Sequence, residues 1–221
     1  MAGVVRCRRI CIITHSAYPV EPRCRRMAEA LVQRGYRVDV LCLQLEGQPA
    51  EEDLNGVQVR RLPVARHQGA GAGVYVREYV QFFLLAAAEL VRRHRRKGYA
   101  LVQVHNPPDA LALCTLPLRL RGIPIVFDLR ELMPELFMSR FRWLRNSFAV
   151  RLLTFLERLA CTYANAVVVL HERHRRIMMT RGVAADKLVQ VMNCPDERLF
   201  DPTASTAASR GVHRRNGEFV V

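Results

Sequence analysis

An alternation constrains this chain more than any other feature. Short apolar, β-branched runs recur along its length, and helical patterns separate nearly all of them. The runs are ICIIT (10–14), VDVLCL (38–43), VQVRRLPV (57–64), LVQVH (101–105), IPIVFD (123–128), AVVVL (166–170) and LVQVM (188–192). Most are apolar on both faces, as strands are when helices cover a sheet from both sides. Helices are expected at 22–34, 74–96, 109–120, 144–163 and 172–181. In the first, Cys24, Met27, Ala28 and Leu31 fall at i, i+3, i+4 and i+7, the spacing of one buried helical face. Gly35, Gly98, Gly122 and Gly182 each follow such a segment, where a left-handed residue ends a helix. The pattern predicts a Rossmann-like, doubly wound α/β domain: a mainly parallel sheet of about seven strands with helices on both faces. Only the link QLEGQPAEEDLNG (44–56) lacks a helix, and it is expected to be an exposed acidic turn joining an antiparallel or edge strand.

Ligands of such sheets bind outside the carboxyl ends of the strands. The stretch THSAYPVEPRCRRMAEAL (14–31) begins at one such end, with Pro22 in the first helical turn, where its missing N–H costs nothing. No G-x-G-x-x-G follows the first strand, which argues against a dinucleotide-dependent dehydrogenase. GAGAG (69–73) does not directly follow a strand, so a mobile substrate-side loop is expected there and not a phosphate cradle. Half the residues are apolar, enough for a sizeable core.

The net charge is +14, from 34 Lys and Arg against 20 Asp and Glu. An anionic membrane surface and phosphate-bearing substrates are the candidate partners of that charge. Nucleic acid is not expected, because the arginines are scattered and no nucleic-acid motif accompanies them. Two segments interleave cations with apolar and aromatic residues, YVREYVQFFLLAAAELVRRHRRK (75–97) and SRFRWLRNSFAVRLLTFLERL (139–159). Such faces can sit on anionic headgroups, although apolar residues of this kind also pack on a sheet. The apolar part of the first is too short to span a bilayer, and the N-terminus lacks a signal-peptide pattern. The seven cysteines form no C-x-x-C pair, and reduced thiols are expected. A cytoplasmic protein, peripheral on the inner face of the cell membrane, is the resulting expectation. Residues 1–202 read as one domain, TASTAASRGVHRRNG (203–217) as a linker, and EFVV (218–221) as the first strand of a further domain.

Four stretches, in order, resemble glycosyltransferase family 4. YPVEPRCRRMAEALVQRGYRVDVLCL (18–43) is similar to the family's first βαβ unit with its YP-x-D/E-PR opening. LVQVHNPPDALAL (101–113) looks like its fourth strand and following loop, IPIVFDLRELMPE (123–135) like its fifth strand and acceptor loop, and VMNCPDERLF (191–200) like the approach to the hinge. The resemblance implies a GT-B architecture, in which two Rossmann-like domains face each other across a cleft. This chain would be the N-terminal, acceptor-side domain, with nucleotide-sugar binding mainly in a C-terminal domain beyond residue 221. It further implies a retaining transferase with no cofactor and no essential metal, inactive without its donor half. The acceptor would be a sugar or a lipid-linked glycan of the cell envelope. The alternative from another class is a non-catalytic membrane- or acceptor-binding subunit that partners a separate donor-binding chain.

Sugar transfer from a nucleoside diphosphate needs charge stabilisation for the departing diphosphate and aim for the acceptor hydroxyl. On the family pattern Arg130 and Glu131 are the expected catalytic residues, and Tyr18, Arg23, His105, Asn106, Asp128 and Asn193 are expected to bind substrate. Relatives commonly place histidine where Arg130 stands; a guanidinium can brace phosphate but not act as a base. Arg23 in the opening turn would meet phosphate, or else be a solvated helix residue, as Arg26 is expected to be. His105 would touch substrate or hydrogen-bond the loop. Asp109 and His171 read as helix N-caps, and Asn193 and Asp196 as organisers of the hinge loop.

Overall fold

The computed structural model describes residues 8–65, 72–141 and 147–194. Eight strands form one sheet: β1 (Arg9–Ala17), β2 (Arg37–Leu43), β3 (Glu51–Leu54), β4 (Val57–Leu62), β5 (Tyr99–His105), β6 (Ile125–Leu129), β7 (Ala166–Val169) and β8 (Leu188–Gln190). Their order is β3-β4-β2-β1-β5-β6-β7-β8, and every pairing is parallel except β3 with β4. All seven predicted strands are present. The eighth, β3, lies in the link expected to be an acidic turn and is an antiparallel edge strand. Its sequence, EEDL, offers no apolar alternation; the cations of Arg60, Arg61 and Arg93 hold it in place through Glu51 and Glu52.

Among the described residues six α-helices connect the strands: α1 (Pro22–Gln33), α2 (Ala72–Lys97), α3 (Leu116–Arg119), α4 (Met133–Phe141), α5 (Phe148–Tyr163) and α6 (Glu172–Thr180). The helix expected at 109–120 is mostly a 3-10 segment, Asp109–Thr115, that passes into the short α3. Helix α4 was not expected, because its one turn signal, Pro134, suits a helix start as well as a loop. The four predicted glycine stops all have positive φ, from 68° to 86°.

Alternate residues of one strand point to opposite faces. Cys11 and Ile13 of β1 join Phe82, Ala86 and Leu90 of α2 in the larger core. Ile10 and Ile12 join Cys24 and Ala28 of α1 in the smaller one. The sheet is therefore covered on both faces. Five of the six described cysteines are buried, as small hydrophobes would be. At the amino end of the sheet, Asp39 accepts hydrogen bonds from Arg9 (2.5 Å), Lys97 (2.8 Å) and Tyr99 Oη (2.9 Å), tying β1, β2, β5 and the end of α2 together. Among the described residues no helix is long and apolar enough to cross a membrane. The predicted linker and final strand, Asp196, most of GAGAG and Trp143 lie outside the described residues.

Candidate active site at the strand tips

From β1 the chain winds through β2 to β3 at the edge and β4 beside it, then returns to add β5 on the opposite side of β1. The carboxyl ends of β1 and β5 therefore flank a topological switch point, where crevices form in open sheets. Register places Thr14 of β1 beside His105 of β5, and His105 beside Asp128 of β6. Residues far apart in sequence thus share one row at the tips.

Arg23, in the first turn of α1, is 6% exposed and grips that row. Its Nε and Nη2 donate to Asp128 Oδ2 and Oδ1, both at 2.9 Å. Its Nη1 donates to Asn193 Oδ1 (2.8 Å) and the Val191 carbonyl (3.2 Å). All three nitrogens of this fork are engaged with protein, so Arg23 is neither the solvated residue nor the open phosphate ligand of the two sequence readings. It ties α1, the tip of β6 and the segment after β8 into one unit.

His105 Nδ1 lies 3.2 Å from Asp128 Oδ2, out of hydrogen-bond alignment, and its Nε2 faces Gln103 Nε2 at 3.2 Å. Burial pushes the imidazole pKa down to about 4 against the opposing pull of Asp128, so the ring is neutral near pH 7. Asn106 is fully buried, and every part of its amide is used. Oδ1 accepts from the backbone N–H groups of Arg130 (2.7 Å) and Glu131 (3.1 Å), while Nδ2 donates to the Glu131 carbonyl (2.6 Å) and Asp109 Oδ1 (2.9 Å). This clamp shapes the loop that carries Arg130 and Glu131.

Arg130 is 16% exposed. Its Nε donates to the Asn106 carbonyl (3.0 Å), and its Nη1 lies 2.6 Å from Glu21 Oε1. Glu21 in turn caps α1, accepting from the N–H groups of Arg23 (3.2 Å) and Cys24 (2.7 Å). The protein's own carboxylate therefore occupies the N-terminus of α1, and Arg130 sits against that carboxylate. The side chains of Glu131 and Asn193 are exposed beside it.

Six predicted residues, Arg23, His105, Asn106, Asp128, Arg130 and Asn193, form one contiguous cluster, and Glu131 joins it through its backbone. Tyr18 does not join. It is 1% exposed and packs in the smaller core with Cys24 and Ala28, because the turn after β1 folds its ring under α1. Asp109 is not an N-cap: Pro108 holds that position, and the Asp109 carboxyl is buried against Asn106. His171 does cap α6, accepting from the His174 N–H at 3.3 Å.

Sequence reasoning missed a second polar group beneath α4 and α5. Arg181 pairs with the buried Glu157 and with Glu135. Burial raises the Glu157 carboxyl to about 7 and that of Asp109 to about 8. Glu157 breaks the buried apolar stripe of Val150, Ala160 and Cys161 on α5, and that interruption was the available signal. Among the described residues no group of three or more His, Cys, Asp or Glu could hold a metal ion.

The profile of the glycosyl transferase 4-like domain matches residues 20–194. No curated protein sequence matches the chain significantly. Among solved structures, sucrose-phosphate synthase from Thermosynechococcus elongatus aligns with a TM-score of 0.64 at 16% identity, over 87% of this chain and 50% of that one. UDP-N-acetylglucosamine 2-epimerase from Rickettsia bellii aligns at 0.54 and 12%, over 93% and 51%. HepE from Anabaena, solved with UDP and glucose, aligns at 0.51 and 13%, over 87% and 46%. The chain spans about half the length of each. At these identities the likeness is one of fold, a Rossmann-like α/β domain of the kind found in GT-B proteins. The profile match covers most of the chain, and on that ground this protein belongs to the glycosyl transferase 4-like domain family.

Proposed function

We propose that this chain is the acceptor-binding half of a retaining glycosyltransferase, which moves a sugar from a nucleotide-sugar donor to a lipid-linked or other cell-envelope acceptor. The donor binds mainly to a second lobe, and this half alone does not turn over. The in-register row of Thr14, His105 and Asp128 carries the reading: it brings three strand tips and α1 into one wall at the switch point. In that wall the partly exposed Arg130 offsets charge developing on the departing diphosphate. Glu131 and Asn193 orient the acceptor from the exposed side. Arg23, His105, Asn106 and Asp128 act as positioning residues, since they are buried and engaged with one another. The description of HepE with UDP and glucose supports a nucleoside diphosphate as the leaving group.

The exposed apolar and basic faces of α2 and α5 support a peripheral seat on an anionic membrane at the cytoplasmic side. The test is to express the coding sequence continued past residue 221 and screen nucleotide sugars with lipid and water-soluble acceptors. Transfer of a sugar by the longer product, and none by the 221-residue chain, is the expected result. A longer product that neither hydrolyses nor transfers any nucleotide sugar would refute the proposal.

A further inference from the structure

Helix α4 packs against α5, but α2 does not close on either of them. Between them opens a cavity of about 420 Å³, the size of a small-molecule site. Its walls include Tyr79 and Phe83 of α2, Met133 and Phe137 of α4, and Leu153 and Leu156 of α5. The loop leaving β5 forms another wall, where Asp109 is the only acidic or basic residue among the described residues of the lining.

Asp109 is 3% exposed. Its Oδ1 accepts from Asn106 Nδ2, and its Oδ2 has no hydrogen-bond partner. Burial raises this carboxyl to about 8, so it is mostly protonated near pH 7. Oδ2 is therefore the carboxyl oxygen left without a partner. A buried unmatched polar group costs about 1–3 kcal/mol, and a ligand oxygen would relieve that cost.

The rim of the cavity is apolar and exposed. Val76, Val80 and Leu84 follow one another at i, i+4 and i+8 on α2; Phe148, Leu152, Phe155 and Leu159 line one face of α5. The acidic residues of these helices, Glu78, Glu89 and Glu157, are all buried, whereas Arg77, Arg151 and Arg158 are exposed. On α2 and α5, an apolar face accompanied by these exposed cations complements an anionic lipid surface. It suits a second copy of itself poorly, because like charges would meet.

We infer that this cavity receives one hydrocarbon chain of a lipid from an anionic bilayer, with the chain's nearest hydroxyl or ester oxygen accepting a hydrogen bond from Asp109. The inference rests on the membrane-facing reading above and names the site and chemistry of contact. Seated there, the lipid would lie beside the Asn106 clamp, through which Asp109 connects to the Arg130–Glu131 loop.

The test uses the 221-residue chain in two assays. Co-sedimentation with vesicles of equal phosphatidylcholine and phosphatidylglycerol, against phosphatidylcholine alone, reads docking. Fluorescence titration with cis-parinaric acid reads chain uptake. Binding to the anionic vesicles only is expected, with at least a tenfold loss for Val80→Glu combined with Leu152→Glu. Ala149→Trp, which fills the cavity from α5, should abolish the parinaric signal and retain vesicle binding; Leu153→Phe serves if that variant melts early. Asp109→Asn keeps a donor and should bind parinaric acid like the parent, whereas Asp109→Leu should weaken it about 3–10-fold, the value of one hydrogen bond. Parinaric binding indifferent to both cavity-filling variants, or vesicle binding indifferent to the rim charges, would overturn the inference. So would self-association that eliminates the parinaric signal, since a second copy would then be the occupant. No donor sugar enters these assays, so their failure leaves transfer to water-soluble acceptors standing, and failure of transfer leaves them intact.

Discussion

Arg23 and Asp128 lie 105 residues apart, and their pairing shows what single residues do here. Both are buried, and their two parallel hydrogen bonds compensate charges that would otherwise be expensive to remove from water. Asp128→Ala should therefore lower unfolding free energy by about 3–5 kcal/mol, the cost of leaving one buried charge unpaired. Urea denaturation followed by circular dichroism measures this, and a loss under about 1 kcal/mol would contradict the pairing. Asp109 makes a prediction in pH. Its folded pKa, about 8, stands far above the ordinary aspartate value near 3.9. The native state thus holds a proton that the unfolded chain releases, and the associated stability is full below about pH 4 and lost as pH rises toward 8. Asp109→Asn removes that dependence, so the variant should gain on the parent between pH 5 and pH 8 in the same urea assay; an unchanged difference would contradict the assignment. Arg23 and Arg130 were legible as important from their places in the opening and acceptor-loop patterns. Their partners were not, because register and burial, and not local sequence, decide which carboxylate a cation meets.

Elements were legible wherever period and punctuation agreed. All seven apolar runs became strands, and Pro22 and the glycine stops bracket the helices as local chemistry requires. The two elements missed, β3 and α4, lack an internal pattern: EEDL is held by cations from β4 and α2, and MPELFMSRF gains its place by packing against α5. Glu21 joins two elements, capping α1 while its Oε1 meets Arg130 from the loop after β6. Glu21→Ala should cost about 1 kcal/mol for the lost cap. A double-mutant cycle with Arg130→Ala should show a further coupling of about 0.5–3 kcal/mol, as residues in one network do. Strict additivity of the two substitutions in thermal or urea unfolding would mean that the pair does not hold the loop.

At the scale of the whole molecule, the strand order makes the site. Reversal at β1 and β5 gathers tips that no linear reading would place side by side, although the alternation of runs and helices already implied a sheet with such a crevice. The cavity between α2, α4 and α5 was less accessible to sequence reasoning, since an apolar helix face reads the same whether it is covered or open. The account holds that these tips form one wall of a sugar-transfer site completed by a donor-binding lobe, with Arg130 as its partly exposed cation. Steady-state turnover of the longer, two-domain product with and without Arg130→Ala tests that claim most directly. The account predicts a fall in kcat of about a hundredfold or more, the usual cost of removing a group that stabilises developing charge, in a variant that remains folded at the assay temperature. An unchanged kcat in a folded variant would contradict it.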